Sequence, residues 1–169
     1  MEIERKWLID PNRLPFPREG AEVWNVEQAY LAFSPCIRIR SVNDEHFFLT
    51  VKILPGTANG SLISREEYEF PIPRETYEDL RSKSAGTVIS KTRYRVPLGN
   101  GLTAETDIFH GELEGLAYLE LEFPDEESAV SYPDPAGTLC DVSNDPAFTN
   151  GALARNGFPE AAGAMLHSR

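Results

Sequence analysis

The chain has 169 residues, 41% of them hydrophobic and 25% charged. That is enough for one domain with a sizeable core, and no apolar run approaches the roughly 20 residues a membrane helix needs. The net charge of −11 is unevenly placed: residues 1–96 carry 14 basic and 14 acidic groups, residues 97–169 carry 2 and 13, so the chain lacks the basic surface that a nucleic acid polymer requires.

The first residues alternate with the period of a strand. Glu2, Glu4 and Lys6 fall on one face and Ile3, Trp7 and Ile9 on the other, with Arg5 the exception. Asp10-Pro11, Pro15 and Pro17 then keep the chain irregular. Residues 22–34 and 36–43 predict two strands around a Ser34-Pro35 turn, the second with Arg38 and Arg40 two apart. Asn43-Asp44-Glu45 predicts a hairpin turn into a fourth strand, 46–54, with Thr50 and Lys52 on one face. A fifth strand, 62–72, places Arg65, Glu67 and Glu69 together.

At Pro73 the period changes to that of a short helix, 74–81, with Gly86 just past its end. Residues 87–97 return to strand, with Lys91, Arg93 and Arg95 on one face. Gly99-Asn100-Gly101 turns the chain into strand 102–109, which carries Glu105 and Asp107. An eighth strand, 116–123, sets Glu120 and Glu122 against Leu119, Leu121 and Phe123. The tail predicts a short helix at 125–130 and another at 150–156, with residues 160–169 frayed. There is no internal repeat and no linker, so residues 1–169 are expected as one domain, with its strands in 1–123 and a helical or irregular tail in 124–169.

Eight strands and little helix suggest a sandwich or a closed barrel. Two arrangements are open. The charged faces lie outside in water, or they line a tunnel with the apolar faces turned outward under helices and loops. Segregation by strand favours the tunnel: acids pair on strands one, five, seven and eight, and bases on three and six. Packed together, such groups repel unless ligands neutralise them. Carboxylates take hard divalent cations, and Arg and Lys take phosphoryl oxygens, so a metal-bound polyphosphate satisfies both sets.

These residues resemble a known family. Glu2-x-Glu4-x-Lys6 is similar to the ExExK signature of the CYTH superfamily, the triphosphate tunnel metalloenzymes. The likeness continues through Arg38-x-Arg40, Thr50-Val51-Lys52, Arg65-x-Glu67-Tyr68-Glu69, Lys91-Thr92-Arg93-Tyr94, Asp107-Ile108-Phe109 and Glu120-Leu121-Glu122-Phe123, about residues 1–123. The resemblance implies a mainly β fold, an eight-stranded antiparallel closed barrel with a charged tunnel and a few short helices outside. It implies Mg²⁺ or Mn²⁺ as cofactor and a triphosphate as substrate. By position, Glu2, Glu4, Asp107, Glu120 and Glu122 resemble metal ligands, with Glu67 and Glu69 for a second metal. Lys6, Arg38, Arg40, Lys52 and Arg93 resemble triphosphate binders, and Lys91 the lysine that orients or deprotonates the attacking water. The tail departs from the pattern: many relatives carry a basic residue in an Asn-Lys-x-Leu-Ala-like segment, where this chain has Asn150-Gly151-Ala152-Leu153-Ala154 and then Arg155.

Hydrolysis of a linear triphosphate, inorganic triphosphate foremost, is the leading expectation. An adenylyl cyclase, a nucleoside or thiamine triphosphatase, and a polyphosphate- or nucleotide-binding module without turnover are the alternatives. His46, His110 and His167 are scattered, Trp7 and Trp24 read as packing residues, and Arg65 and Arg95 as candidates for rim ion pairs. The start of the chain has no signal-peptide pattern, and Cys36 and Cys140 do not make a disulfide framework, which fits a reducing, cytoplasmic setting. Neither a membrane nor a nucleic acid polymer is expected as partner. The oligomeric state, with a homodimer the candidate, is left open.

Overall fold

The computed structural model of the chain describes residues 3–53 and 66–167. One antiparallel sheet dominates it. Its strands are β1 (Ile3–Ile9), β2 (Glu22–Phe33), β3 (Cys36–Val42), β4 (His46–Ile53), β5 (Glu66–Pro71), β6 (Ala85–Pro97), β7 (Thr103–Phe109), β8 (Ala117–Phe123) and β9 (Thr138–Asp141). The order across the sheet is β5-β4-β3-β2-β6-β7-β8-β1-β9. Four helices lie against it: α1 (Arg74–Ser82), α2 (Glu126–Ser131), α3 (Asn150–Asn156) and α4 (Glu160–His167).

The eight expected strands are present among the described residues, the fifth as Glu66–Pro71 with residues 62–65 of its expected span outside them, and the tight turns follow local chemistry. In the turn after β3, Asn43 and Asp44 both hold positive φ (54° and 55°), the pair of left-handed positions that a hairpin accepts most easily at Asn and Asp. Four expectations are corrected. The ladder is not closed among the described residues: β5 and β9 are its edges. The tail supplies a ninth strand, Thr138–Asp141, which pairs with β1. Residues 160–167, expected to fray, form α4, because Ala162 is buried against the core. Gly86 does not stop α1 either. It lies in β6 at φ 72°, where α3 passes so close that a Cβ would stand 2.2 Å from the Ala154 carbonyl oxygen.

Alternation along each strand separates two faces. The outer face is apolar and covered. Trp7, Ile9, Ala104, Leu119, Leu121 and Phe123 pack under α2 and the loop carrying Leu14 and Phe16, while Ala29, Ile39 and Phe47 pack under Tyr77 and Leu80 of α1. Arg5 breaks the alternation on this face because the tail supplies its partners: it bonds Asp141, the Tyr132 carbonyl (2.6 Å) and Asp134 (2.6 Å). Asp134 also accepts from Trp7 Nε1, at 2.8 Å.

The inner face is charged at one end and apolar at the other. There Leu8, Tyr30, Ile89, Phe109 and Tyr118 meet Val142, Phe148, Leu153, Ala154 and Ala162 of the tail in a third core cluster. The tail is therefore the floor of the charged face. Local caps set its elements: Asp125 accepts from Ser128 N–H to start α2, and Thr149 accepts from Ala152 N–H to start α3.

Candidate active site

Antiparallel register puts residues that sit opposite one another on the same face. Glu4 faces Glu122 and Lys6 faces Glu120 across β1 and β8. Glu120 faces Glu105, and Tyr118 faces Asp107, across β8 and β7. Arg93 faces Asp107, Arg95 faces Glu105 and Lys91 faces Phe109 across β6 and β7. Arg38 faces Thr50 on β4, which in turn faces Glu69 on β5, and Lys52 faces Glu67. The charged residues singled out from strands β1 and β3–β8 therefore share one surface.

That surface is turned inward. Asp107 is completely buried, Lys91 is 4% exposed, Glu120 7% and Lys6 8%. Water does not neutralise these groups, so they neutralise each other. Asp107 accepts from Arg93 Nε at 2.7 Å, from Arg93 Nη2 at 2.8 Å and from Lys91 Nζ at 2.5 Å. Arg93 reaches past β7 to Glu120 at 2.6 Å and also bonds Glu105. Lys6 Nζ lies 3.1 Å from Glu120. On the other half of the sheet, Arg40 pairs with Glu69 at 3.0 Å, Lys52 with Glu67 at 2.8 Å and Arg38 with Glu67 at 3.4 Å, and Thr50 Oγ1 donates to Glu69 at 3.0 Å.

The electrostatics follow from burial competing with pairing. Burial pushes the Asp107 carboxyl up, but Arg93 and Lys91 more than offset it and hold it well below the usual carboxylate range. Burial also acts against ionisation of Glu120, and Lys6 and Arg93 overcome it, so Glu120 is lowered too. Lys6 loses to burial and gains more from Glu120, Glu4 and Asp107, which leaves it raised. Lys91 goes the other way: burial, with Arg93 beside it, pulls it below its ordinary value despite Asp107. Burial lowers Arg40, with Arg38 and Arg93 adding to the effect.

Two lysines rest on the aromatic floor. Lys91 Nζ stands 5.4 Å from the centre of the Phe109 ring and Lys6 Nζ 5.5 Å from that of Tyr118. Those rings meet edge to face at 5.1 Å. Beside them Gln28 donates to the Tyr30 hydroxyl at 2.7 Å. Among the described residues, four buried polar side-chain atoms have no hydrogen-bond partner, and three of them belong to this face: Arg38 Nε, Arg40 Nε and the Tyr118 hydroxyl. An open groove borders the cluster at Lys91. Its volume is about 460 Å³, and Asn25, Ser41, Asn43, Thr92 and His110 line it, among others. The charged face is filled by its own ion pairs.

Each expected site residue can now be placed. Lys6, Lys91, Arg93, Asp107 and Glu120 form one buried cluster. Arg38, Arg40, Lys52, Glu67 and Glu69 form a second cluster on β3–β5. Glu4 and Glu122 face each other at the exposed end of the face. Glu2 and Arg65 lie outside the described residues. Among the described residues no three acidic, His or Cys side chains are arranged to share one ion. The donors are nonetheless all carboxylate oxygens, the type a hard divalent cation takes. Of these, Glu4 and Glu122 are exposed at the end of the face, whereas Asp107 is buried and engaged on both oxygens. Arg95 is a rim residue as expected, bonded to Glu22 and Glu105 and lying over the Trp24 ring. Arg155 stands over the Phe33 ring, 4.4 Å from its centre, and a Cβ at Gly151 would be in van der Waals contact with the Tyr30 ring. Sequence reasoning missed Tyr118 and the floor. The available signal was parity: Tyr118 shares the face of Glu120 and Glu122.

A family model for the CYTH domain matches residues 1–130. A protein of Acetivibrio thermocellus named inorganic triphosphatase is 37% identical over 160 residues, covering 93% of this chain and 95% of the relative. One of Nitrosomonas europaea with the same name is 33% identical over 156 residues, covering 90% and 96%. The crystal structure of the inorganic triphosphatase NE1496 superposes with a TM-score of 0.67 at 29% identity, over 91% of this chain and 94% of that one. The inward charged face and its order of residues along the strands thus accompany similarity over nearly the whole length, and the chain belongs to the CYTH domain family.

Proposed function

We propose that the chain hydrolyses a linear triphosphate on its inner face, with inorganic triphosphate the favoured substrate. One observation carries the reading: Arg38 Nε and Arg40 Nε are buried donors with no acceptor among the described residues. A buried guanidinium donor left unbonded is costly, and the oxygens of a phosphoryl group satisfy it with charge-assisted bonds. The relatives named inorganic triphosphatase support the same reading.

In this reading Arg38, Arg40 and Lys52 exchange Glu67 and Glu69 for one end of the triphosphate, and Lys6 and Arg93 receive the other. Phosphoryl transfer is mostly positioning and charge stabilisation, which a fixed array of cations in a water-poor face supplies. Glu4, Glu120 and Glu122, with Glu2, would hold a divalent ion such as Mg²⁺ or Mn²⁺. When bound, that ion supplies charge neutralisation to phosphoryl oxygens. Asp107 holds Lys91 throughout, and Arg93 until the substrate takes it. Lys91 is the group assigned to the attacking water, since burial lowers it below its ordinary value and so eases loss of its proton.

The test is phosphate release from inorganic triphosphate, ATP and thiamine triphosphate, each with Mg²⁺, Mn²⁺ or no metal. The expected result is metal-dependent release, fastest from inorganic triphosphate, and a Lys91→Ala rate lower by about 10²-fold or more. Release of cyclic AMP from ATP, or binding with no phosphate release under either metal, overturns the reading.

A further inference from the structure

Tyr118 stands on the inner face of β8, between Leu8 of β1 and Asp107 of β7. Its side chain is fully buried, yet its hydroxyl has no partner among the described residues. The ring is well used: it packs on Phe109 at 5.1 Å and Phe148 at 6.0 Å, and it seats the Lys6 ammonium. Phenylalanine would serve all three contacts. The hydroxyl is a different matter. It stands within electrostatic reach of the Glu120, Asp107 and Asp145 carboxylates. All three have other partners: Asp107 takes Lys91 and Arg93, Glu120 takes Lys6 and Arg93, and Asp145 takes the Ala147 N–H. A buried hydroxyl left unbonded costs about 1–3 kcal/mol. A buried hydroxyl that reaches none of the acceptors around it directly is a group an internal water can bridge to them.

We propose that Tyr118 is a positioning residue whose hydroxyl holds a floor water against Asp107. The inference rests on the triphosphatase reading. When Arg93 turns from Asp107 to a phosphoryl group, Asp107 loses charge-assisted bonds. The water held by Tyr118 then keeps the carboxylate in place, and with it Lys91. The hydroxyl matters to the step that uses Lys91 and not to substrate affinity, because the ring seats Lys6 without it.

The test is Tyr118→Phe with inorganic triphosphate, beside Tyr118→Leu and a wild-type crystal structure. The phenylalanine variant is expected to lose about tenfold in kcat, the worth of one hydrogen bond, with KM within about twofold of wild type. The leucine variant also removes the Lys6 seat, and its KM is expected to rise as well. The crystal structure is expected to show an ordered water within hydrogen-bond distance of both the Tyr118 hydroxyl and Asp107. An unchanged kcat in Tyr118→Phe, a fall in kcat matched by an equal rise in KM, or the absence of that water overturns the inference. If wild type releases no phosphate from inorganic triphosphate, the parent reading fails by itself, and the presence or absence of the water still decides the role of Tyr118.

Discussion

Replacing Asp107 by Asn tests the claim that the buried cations are held by a buried anion. Asp107 is inaccessible to solvent and bonds both Lys91 and Arg93. Arg93 retains Glu105 and Glu120. For Lys91, only 4% exposed, Asp107 is the salt-bridge partner. In Asp107→Asn, Lys91 must either stay charged without that partner or fold as the neutral amine. Deprotonating an ordinary lysine at neutral pH costs about 4.6 kcal/mol, from about 3.4 pKa units at 1.36 kcal/mol each. That agrees with the roughly 3–5 kcal/mol usually lost when one member of a buried pair is removed. We expect the variant to lose about 3–5 kcal/mol by urea denaturation at neutral pH. At this chain length that lowers Tm by roughly 6–20 °C. Asp107→Asn with Lys91→Met, which removes both charges, is expected to recover most of it. A loss below about 1 kcal/mol in the single variant, or no recovery in the double variant, refutes the argument.

Gly86→Ala is expected to cost about 2–4 kcal/mol, because it combines a left-handed φ of 72° with overlap on the Ala154 carbonyl, which is backbone and cannot rotate away. Gly20→Ala, at φ 75° in open space, should cost only the conformational strain, about 1 kcal/mol, and equal losses in the two denaturation curves would show that α3 does not press on β6. Asp107, Glu120 and Glu67 all have carboxyls lowered in the folded protein, where burial is outweighed by Lys and Arg partners. Their stabilisation is therefore fully present above the unfolded carboxylate range, about pH 4 to 4.5, and is lost as pH falls through the lowered folded values. Urea midpoints should drop below about pH 4, and the drop should be shallower in Asp107→Asn.

Part of the candidate site was legible because strand parity is a local property. A residue two positions from Glu120 shares its face whatever the fold, so Arg38 with Arg40, Lys91 with Arg93, and Glu105 with Asp107 could be paired strand by strand, while the resemblance to the CYTH pattern joined the pairs across strands. Partners distant in sequence left no such trace. Arg5 looked like an error in the alternation until β9 and the turn at Asp134 came beside it. Thr138–Asp141 is short and lies close after Pro133 and Pro135, so only the edge of β1 makes it a strand. Residues 160–167 are rich in alanine and carry little helical stripe of their own, and burial of Ala162 in the floor stabilises α4.

The sequence by itself determined which residues share a face on each strand, where the chain turns, and that the acids and bases are sorted strand by strand. Only the tertiary structure decided which face is inside. Both faces carry apolar residues, and the inner one is charged at one end and aromatic at the other. The choice is made when α1, α2 and the early loop cover one side and the tail seals the far end of the other. Burial then forces carboxylates and cations that would be separately hydrated into direct contact, and it leaves the Arg38, Arg40 and Tyr118 donors waiting for partners that the described chain does not supply.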